Sequence, residues 1–326
     1  MDALTDILKS VQLEGAIYLN ARFQAPWAVR GKYGLASLSQ RRAGIEHVLQ
    51  FHFIVDGRCR IRLADSVEVT ELQAGDLVLF PHDDRHVMGS DLHLAPIEAE
   101  NLNSDGLYGG DDVIHVRGGG DGEATRLVCG YLACSRSMVR PLLDALPRIV
   151  RIPIGDGEGA LLVRELLRVG VRETVASRPG AEHVLAKLAE ILFGEALRRH
   201  AQSLPAAGRG LFAALKDGHV GQALALMHGQ PHHPWTVEEI ARHAALSRSA
   251  LSKRFAQLVG ETPMQYLTRW RLALAARELR SSDHAIIRIA EQAGYESEAS
   301  FNRAFKREFG LPPAAWRRAA GRAVAP

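Results

Sequence analysis

The chain has 326 residues, 47% of them hydrophobic and 24% charged, enough for two ordinary domains with real apolar cores. No run approaches the ~20 apolar residues of a membrane span, and MDALTDILKS lacks the basic start and apolar core of a signal peptide. Three cysteines, Cys59, Cys129 and Cys134, do not make a disulfide framework, so a reducing cytoplasm is the expected compartment. The net charge of +3 is unevenly placed. Residues 231–326 carry 15 Lys and Arg against 9 Asp and Glu, a net of +6, and the remainder carries 25 against 28, a net of −3. A basic C-terminal part suits a nucleic-acid partner without requiring one.

In chain order, the first ten residues suit a short amphipathic helix, with Leu4, Ile7, Leu8 and Val11 on one face. Period-two patterning follows. Strands are expected at Ala16–Leu19, Val48–Val55, Arg58–Leu63, Val67–Leu72, Leu77–Phe80 and Arg126–Leu132, punctuated by Gly57, Gly75 and Pro81. Asp56-Gly57 is a hairpin signal, and many short strands with close turns predict a sandwich or barrel. Asp91–Gly122 is rich in Gly and Asp, weakly patterned, and reads as a mobile loop.

FHFIVDGRCRIRL followed by LQAGDLVLFPHDDRHVM resembles the cupin jelly-roll barrel. Gly75, Pro81 and His86 follow that family's second motif, with Asp83 where a glycine is usual, and His52 stands where the first motif has a histidine. The paired histidines and downstream glutamate of metal-using cupins are not matched, so the resemblance does not carry over a catalytic metal site. Inside such a barrel His52, His86 and Cys129 are the polar residues to watch. They could bind an effector, hold zinc or sense oxidation; the alternative is satisfied core histidines and an inert buried thiol. Cys129 and Cys134 are five apart, which on a strand puts them on opposite faces.

Helical period returns at Gly159, with Leu162, Leu166, Val169 and Val171 marking one helix. Ser177–Gly180 breaks it. The next helix runs to His200, with Val184, Leu185, Leu188, Ile191, Leu192 and Leu197 apolar; packing within the chain and a dimer interface are both open to it. Leu204–Gly210 reads as a short flexible linker. His228, His232 and His233 are expected in an exposed turn bent by Pro231 and Pro234, with no metal.

From Trp235 onward one helical unit occurs twice. Phe255 and Phe305, Gly260 and Gly310, and Pro263 and Pro313 are each fifty residues apart, while Ile240 and Ile289 are forty-nine apart, so the second copy has one extra residue in its turn. In the first copy Val237, Ile240, Ala241 and Ala244 form an apolar stripe, with a capping-box pattern at Thr236 and Glu239. Leu246 plugs the turn, Ser247 caps the next helix, and Leu251, Phe255 and Leu258 are its buried face. In the second copy Ile286, Ile289, Ala290 and Ala293 form the stripe, Gly294 turns, Ser297 caps, and Phe301, Phe305 and Phe309 are buried. Helix, tight turn and polar second helix make the helix-turn-helix pattern, and two matching copies outweigh a merely solvated hairpin.

These residues, with MQYLTRWRLALAARELR between the copies, resemble the DNA-binding domain of the AraC/XylS family of bacterial transcription regulators. The resemblance implies a connecting helix from Pro263 to about Arg280, with Met264, Leu267, Trp270 and Leu274 inward. Carried over by position, the DNA-reading residues are Ser249, Ser252 and Lys253 in the first copy. In the second they are Glu298, Ala299, Asn302, Arg303 and Lys306. LVCGYL around Cys129 and PLLDALPRIVRI from Pro141 match the cupin found in one branch of that family.

The expected fold class is α+β. A cupin-like sensing barrel at 1–157 is followed by a helical pair at 158–203 that could serve a homodimer. A linker at 204–210 leads to an all-α double helix-turn-helix domain at 211–326. The expected function is sequence-specific transcription regulation on promoter DNA with RNA polymerase as a further partner, in the cytoplasm on the nucleoid, under an unidentified small-molecule or redox signal. No cofactor is expected, with zinc the alternative; the other reading of the whole chain is a metal-dependent cupin enzyme with a helical appendage.

Overall fold

The structure, a computed structural model, describes residues 4–5, 7, 14–31, 47–102, 114–134, 142–154, 165–166, 169–170, 172–173, 180–204 and 208–321. Leu8, Val11, Leu162 and Val171 of the expected helical stripes lie outside them. The described strands are β1 Glu14–Gln24, β2 Ala28–Gly31, β3 His47–Asp56, β4 Arg58–Leu63, β5 Thr70–Gln73, β6 Asp76–Phe80, β7 His86–Gly89, β8 Ile97–Glu98, β9 Ile114–Gly119, β10 Ala124–Cys134 and β11 Val150–Pro153. They pair in two mixed sheets, ordered β11-β6-β3-β10-β1-β9 and β5-β4-β7-β2-β8. Among the described residues no pairing closes either sheet into a ring.

Alternation along the strands builds two cores. On β6, Val78 and Phe80 point between the sheets, where they meet Ile54, Cys59, Ile61, Leu72, Met88, Leu127 and Cys129. Leu77 and Leu79 point the other way, to a core shared with Leu49, Phe51, Leu132 and Cys134. Cys129 and Cys134 therefore do lie on opposite faces of β10. The expected loop over 91–122 is in part strand: β8 and β9 lie within it, and β9 runs parallel to β1. Its glycines serve close backbone approach: Gly119 has φ +95°, and a Cβ there would sit 2.0 Å from the Gln24 carbonyl oxygen.

Helix α1, Ala181–Ser203, lays Leu185, Leu188, Leu192, Phe193 and Leu197 on the outer face of the larger sheet and packs on β1. Val184 and Ile191 of the expected stripe stay on its open side, 41% and 50% exposed. Eight helices follow: α2 Leu211–Lys216, α3 Gly218–Gly229, α4 Val237–His243, α5 Arg248–Val259, α6 Pro263–Ser281, α7 Ile286–Gln292, α8 Glu298–Phe309 and α9 Pro313–Gly321. One apolar cluster runs without a break from the sheet through α1 into α2 to α5, reaching Leu267 on α6. A separate cluster begins at Leu272 and holds α7, α8 and Trp316. The expected linker is tied at both ends. Lys216 Nζ donates to the Gln202 and Leu204 carbonyls (3.1 and 2.7 Å), and the Gly210 amide donates to the Leu258 carbonyl (2.8 Å).

Helix α6 begins on a capping box of Thr262 and Gln265, with Pro263 in its first turn. It buries more than the one expected stripe. Met264 and Leu274 are only half-buried, while Tyr266, Leu267, Leu272, Ala275, Ala276 and Leu279 are buried. The physical reason is that one helix serves two cores lying on different sides of it. His228 also departs from expectation: it is buried at the end of α3, 2.7 Å from the Tyr266 hydroxyl, and burial lowers its pKa to about 3. His232 is exposed and His233 half-buried, as a turn would leave them.

Candidate nucleic-acid interface and a buried thiol–imidazole chain

In the first repeat the Thr236 hydroxyl accepts from the Glu239 amide at 3.1 Å and starts α4. The Glu239 carboxylate does not complete the expected box; it accepts from His233 Nε2 at 2.9 Å. The turn is held by the Leu246 amide on the Ala241 carbonyl (2.9 Å), with Ala245 at φ +54°. Ser247 then caps α5 through the Ala250 amide, 3.2 Å. Leu251 and Phe255 are fully buried, which turns Ser249 and Lys253 to solvent and leaves Ser252 half-buried. Neighbouring Arg254 is held elsewhere: its guanidinium donates twice to Asp217 Oδ2 (2.8 and 2.6 Å), the carboxylate that also caps α3.

The second repeat copies this geometry. Gly294 turns at φ +82°, Ser297 accepts from the Ser300 amide at 3.3 Å, and Phe301 and Phe305 are fully buried. Phe309 is half-buried, packed on Trp316 with ring centroids 5.1 Å apart. Glu298, Ala299, Arg303 and Lys306 are exposed and Asn302 is half-buried. Arg307, a cation that the positional carry-over passed by, is exposed beside Lys306. Both second helices therefore present a polar or basic face whose cations Lys253, Arg303 and Lys306 stand in no ion pair among the described residues.

The second constellation is inside the sheets. His52 on β3 and Cys129 on β10 are partners in the antiparallel register, so their side chains share a face. Cys129 Sγ lies 2.8 Å from His52 Nδ1, and His52 Nε2 lies 2.8 Å from Nε2 of His86 on β7, across the gap between the sheets. His86 Nδ1 is 3.1 Å from the Asp84 carbonyl oxygen, and its ring stacks on Phe80 at 3.9 Å. A carbonyl only accepts, so His86 carries its proton on Nδ1 and accepts at Nε2. His52 then donates from Nε2 and accepts at Nδ1 from the Cys129 thiol. All the donors point one way, from thiol to carbonyl.

Burial sets the charge states. It pushes His52 well below the ordinary 6.5, with the charge of His86 adding, and lowers His86 to about 4 against the smaller pull of Asp84. It pushes the Cys129 thiol well above 9.0, with Cys59 adding to the effect. The chain is thus neutral throughout. The residues do not fit a zinc ion, because His52 turns one nitrogen to Cys129 and the other to His86, so the three donors do not surround one point. Among the described residues no group of three His, Cys, Asp or Glu does so either.

Two family models match the chain: a cupin model over residues 2–202 and a helix-turn-helix domain model over 240–319. A putative AraC-like transcription regulator of Streptomyces lividans is 32% identical over 319 residues, covering 98% of each chain. The HTH-type transcriptional regulator AlkR of Acinetobacter baylyi is 32% identical over 328 residues, covering 97% of this chain and 99% of its own. No described helix is long and apolar enough to cross a membrane. Matched end to end by such relatives, and built from a cupin domain followed by two helix-turn-helix units, the chain belongs to the AraC-like family of DNA-binding transcription regulators.

Proposed function

We propose that α5 and α8 read two successive major grooves of a promoter, under the control of a signal received between the two sheets. The observation that carries the first half is the repeated geometry: each second helix buries its aromatic face and turns the equivalent cations, Lys253 and Arg303, to solvent. Grooves on one side of a duplex recur every ~34 Å, so two heads on one chain can read one face of it. Arg303 suits two hydrogen bonds to guanine and Asn302 two to adenine. Ser249 and Ala299 are short and offer a hydroxyl or methyl contact, Ser252 and Lys306 suit phosphate, and Glu298 suits cytosine or its own helix N-terminus.

The signal site of this reading is the chain Cys129–His52–His86, buried between the sheets, with a small molecule or an oxidant as the signal. The unbroken apolar cluster from the sheet to α5 supports transmission to the first head, since packed cores shift between arrangements rather than deform smoothly. The two facing sheets are taken as the halves of a cupin jelly roll within 1–157. In the same reading 158–203 forms the dimer contact, supported by the exposed Val184 and Ile191 on α1, 204–210 is the connection, and 211–326 is the DNA-binding domain. Action in the cytoplasm on the nucleoid, with recruitment of RNA polymerase, completes it. A cupin enzyme is disfavoured because, among the described residues, no three His, Cys, Asp or Glu gather as metal ligands.

Binding-site selection tests the reading. The wild type should return a two-part motif. Arg303→Ala should cost ~1–3 kcal/mol on that motif and relax one base pair of it. An unchanged motif would refute base reading by Arg303; a fall in affinity that is equal on all sequences, with the salt slope reduced by about one, would assign it to phosphate.

A further inference from the structure

The two heads do not share a core. The first cluster stops on α6 at Leu267 and the second starts at Leu272, and none of α2 to α5 packs broadly on α7, α8 or α9. What crosses the seam beside α6 is polar, and it centres on Arg271, which stands between those two leucines. Its Nε donates to the Pro231 carbonyl and its Nη2 to the His233 carbonyl, both at 2.6 Å, so one guanidinium grips two carbonyls of the turn between α3 and α4. Arg271 Nη1 lies on the other side against the turn of the second head, 2.9 Å from the place a Cβ on Gly294 would take. Next to it, His232 Nδ1 donates to the Gln292 carbonyl at the end of α7, 2.7 Å away. The α3–α4 turn is thus fastened to α6 by Arg271, whose guanidinium also abuts the second head, and to the second head itself by the His232 hydrogen bond.

Gly294 supports the same conclusion. Its counterpart in the first repeat is Ala245, which holds the turn at φ +54° with a side chain present. Gly294 lies further into the left-handed region, at φ +82°, where a side chain is strained, and a Cβ there would in addition meet the Arg271 guanidinium at 2.9 Å. Burial also costs the Arg271 charge some hydration, which the two carbonyls offset.

We infer that Arg271, with His232, is a positioning device that sets the angle and distance between the two reading helices and so the spacing of the two half-sites the protein accepts. The inference rests on the two-head reading above. Each added base pair turns the second half-site by about 35° and moves it ~3.4 Å, more than a clamped pair of heads can follow.

The test measures affinity of the full chain for its selected site and for the same site with one base pair inserted or removed between the halves. The wild type should lose ~10-fold or more on the altered sites, the cost of one mismatch. Arg271→Ala should retain binding to the parent site yet lose only ~3-fold or less on the altered ones, within the range of one weakened contact. His232→Ala, at an exposed residue, should relax spacing in the same direction and carries the test should Arg271→Ala fail to fold. A general loss of stability would lower affinity for every site alike and leave the ratio unmoved. Spacing ratios in both variants equal to that of the wild type would overturn the inference while leaving the two-head reading intact. A wild type indifferent to spacing would overturn both.

Discussion

Acidification is expected to destabilise this protein, in part through His86 and together with the other buried histidines His52 and His228. The unfolded chain takes up a proton on this imidazole near the ordinary 6.5, whereas burial holds the folded group near 4. The folded pKa is depressed, so the stability is present in full above about 6.5 and is lost as the pH falls through about 4. With those two values the linkage relation gives a loss of about 2 kcal/mol at pH 5 and about 3 kcal/mol at pH 4, relative to pH 7. His52 faces His86 and is pushed down too, so it acts in the same direction; Asp84, the nearest acid, resists the shift. The assay is urea unfolding at constant ionic strength at pH 7 and pH 5, on the wild type and on His86→Gln. Glutamine keeps an acceptor for His52 but cannot titrate. The variant should start less stable and lose about 2 kcal/mol less than the wild type over this interval. Parallel losses in the two proteins would refute the assignment of a buried, neutral His86.

Phe305→Ala should remove ~3–5 kcal/mol from the second head alone, because Phe305 is fully buried in a core separate from the rest. Calorimetry should then show an added low-temperature transition while the first head and the sheets melt as before. Gly130→Ala should destabilise the sheets by ~1–3 kcal/mol, since its Cβ would fall 2.1 Å from the Phe51 ring and 2.6 Å from the Ala16 carbonyl oxygen. Here thermal unfolding is the check, and a variant as stable as the wild type would contradict the packing of β10 between β1 and β3.

The unbroken cluster gives regulation a physical route. α2 places Leu211 and Phe212 in the core that also holds Phe193 of α1 and Leu79 of β6. A change between the sheets that moved β6 or β10 would press on α1 and then on the first head. The second head has a core of its own and, among the described residues, follows through α6, the Arg271 contacts and the His232–Gln292 hydrogen bond.

The helix-turn-helix units were legible in the sequence because their determinants are local. Thr236, Ser247 and Ser297 lie within three residues of the amides they cap, and Leu251 and Phe255 are one helical turn apart. Six strands were legible from period-two patterning for the same reason, while β2, β7, β8, β9 and β11 were not: β8 has two residues, β2, β7 and β11 have four each, and β9 ends in Gly118-Gly119, which mimics a loop. The thiol–imidazole chain could be named from the sequence as three residues, but not as a chain. His52 and His86 are 34 apart and His52 and Cys129 are 77 apart, and only the β3–β10 register and the closure of one sheet over the other bring them together. Arg271 gave no sequence signal at all, since it is one arginine on a helix rich in them. Its role depends on where two separately cored heads meet, and that is decided by packing between distant parts of the chain rather than by any spacing along it.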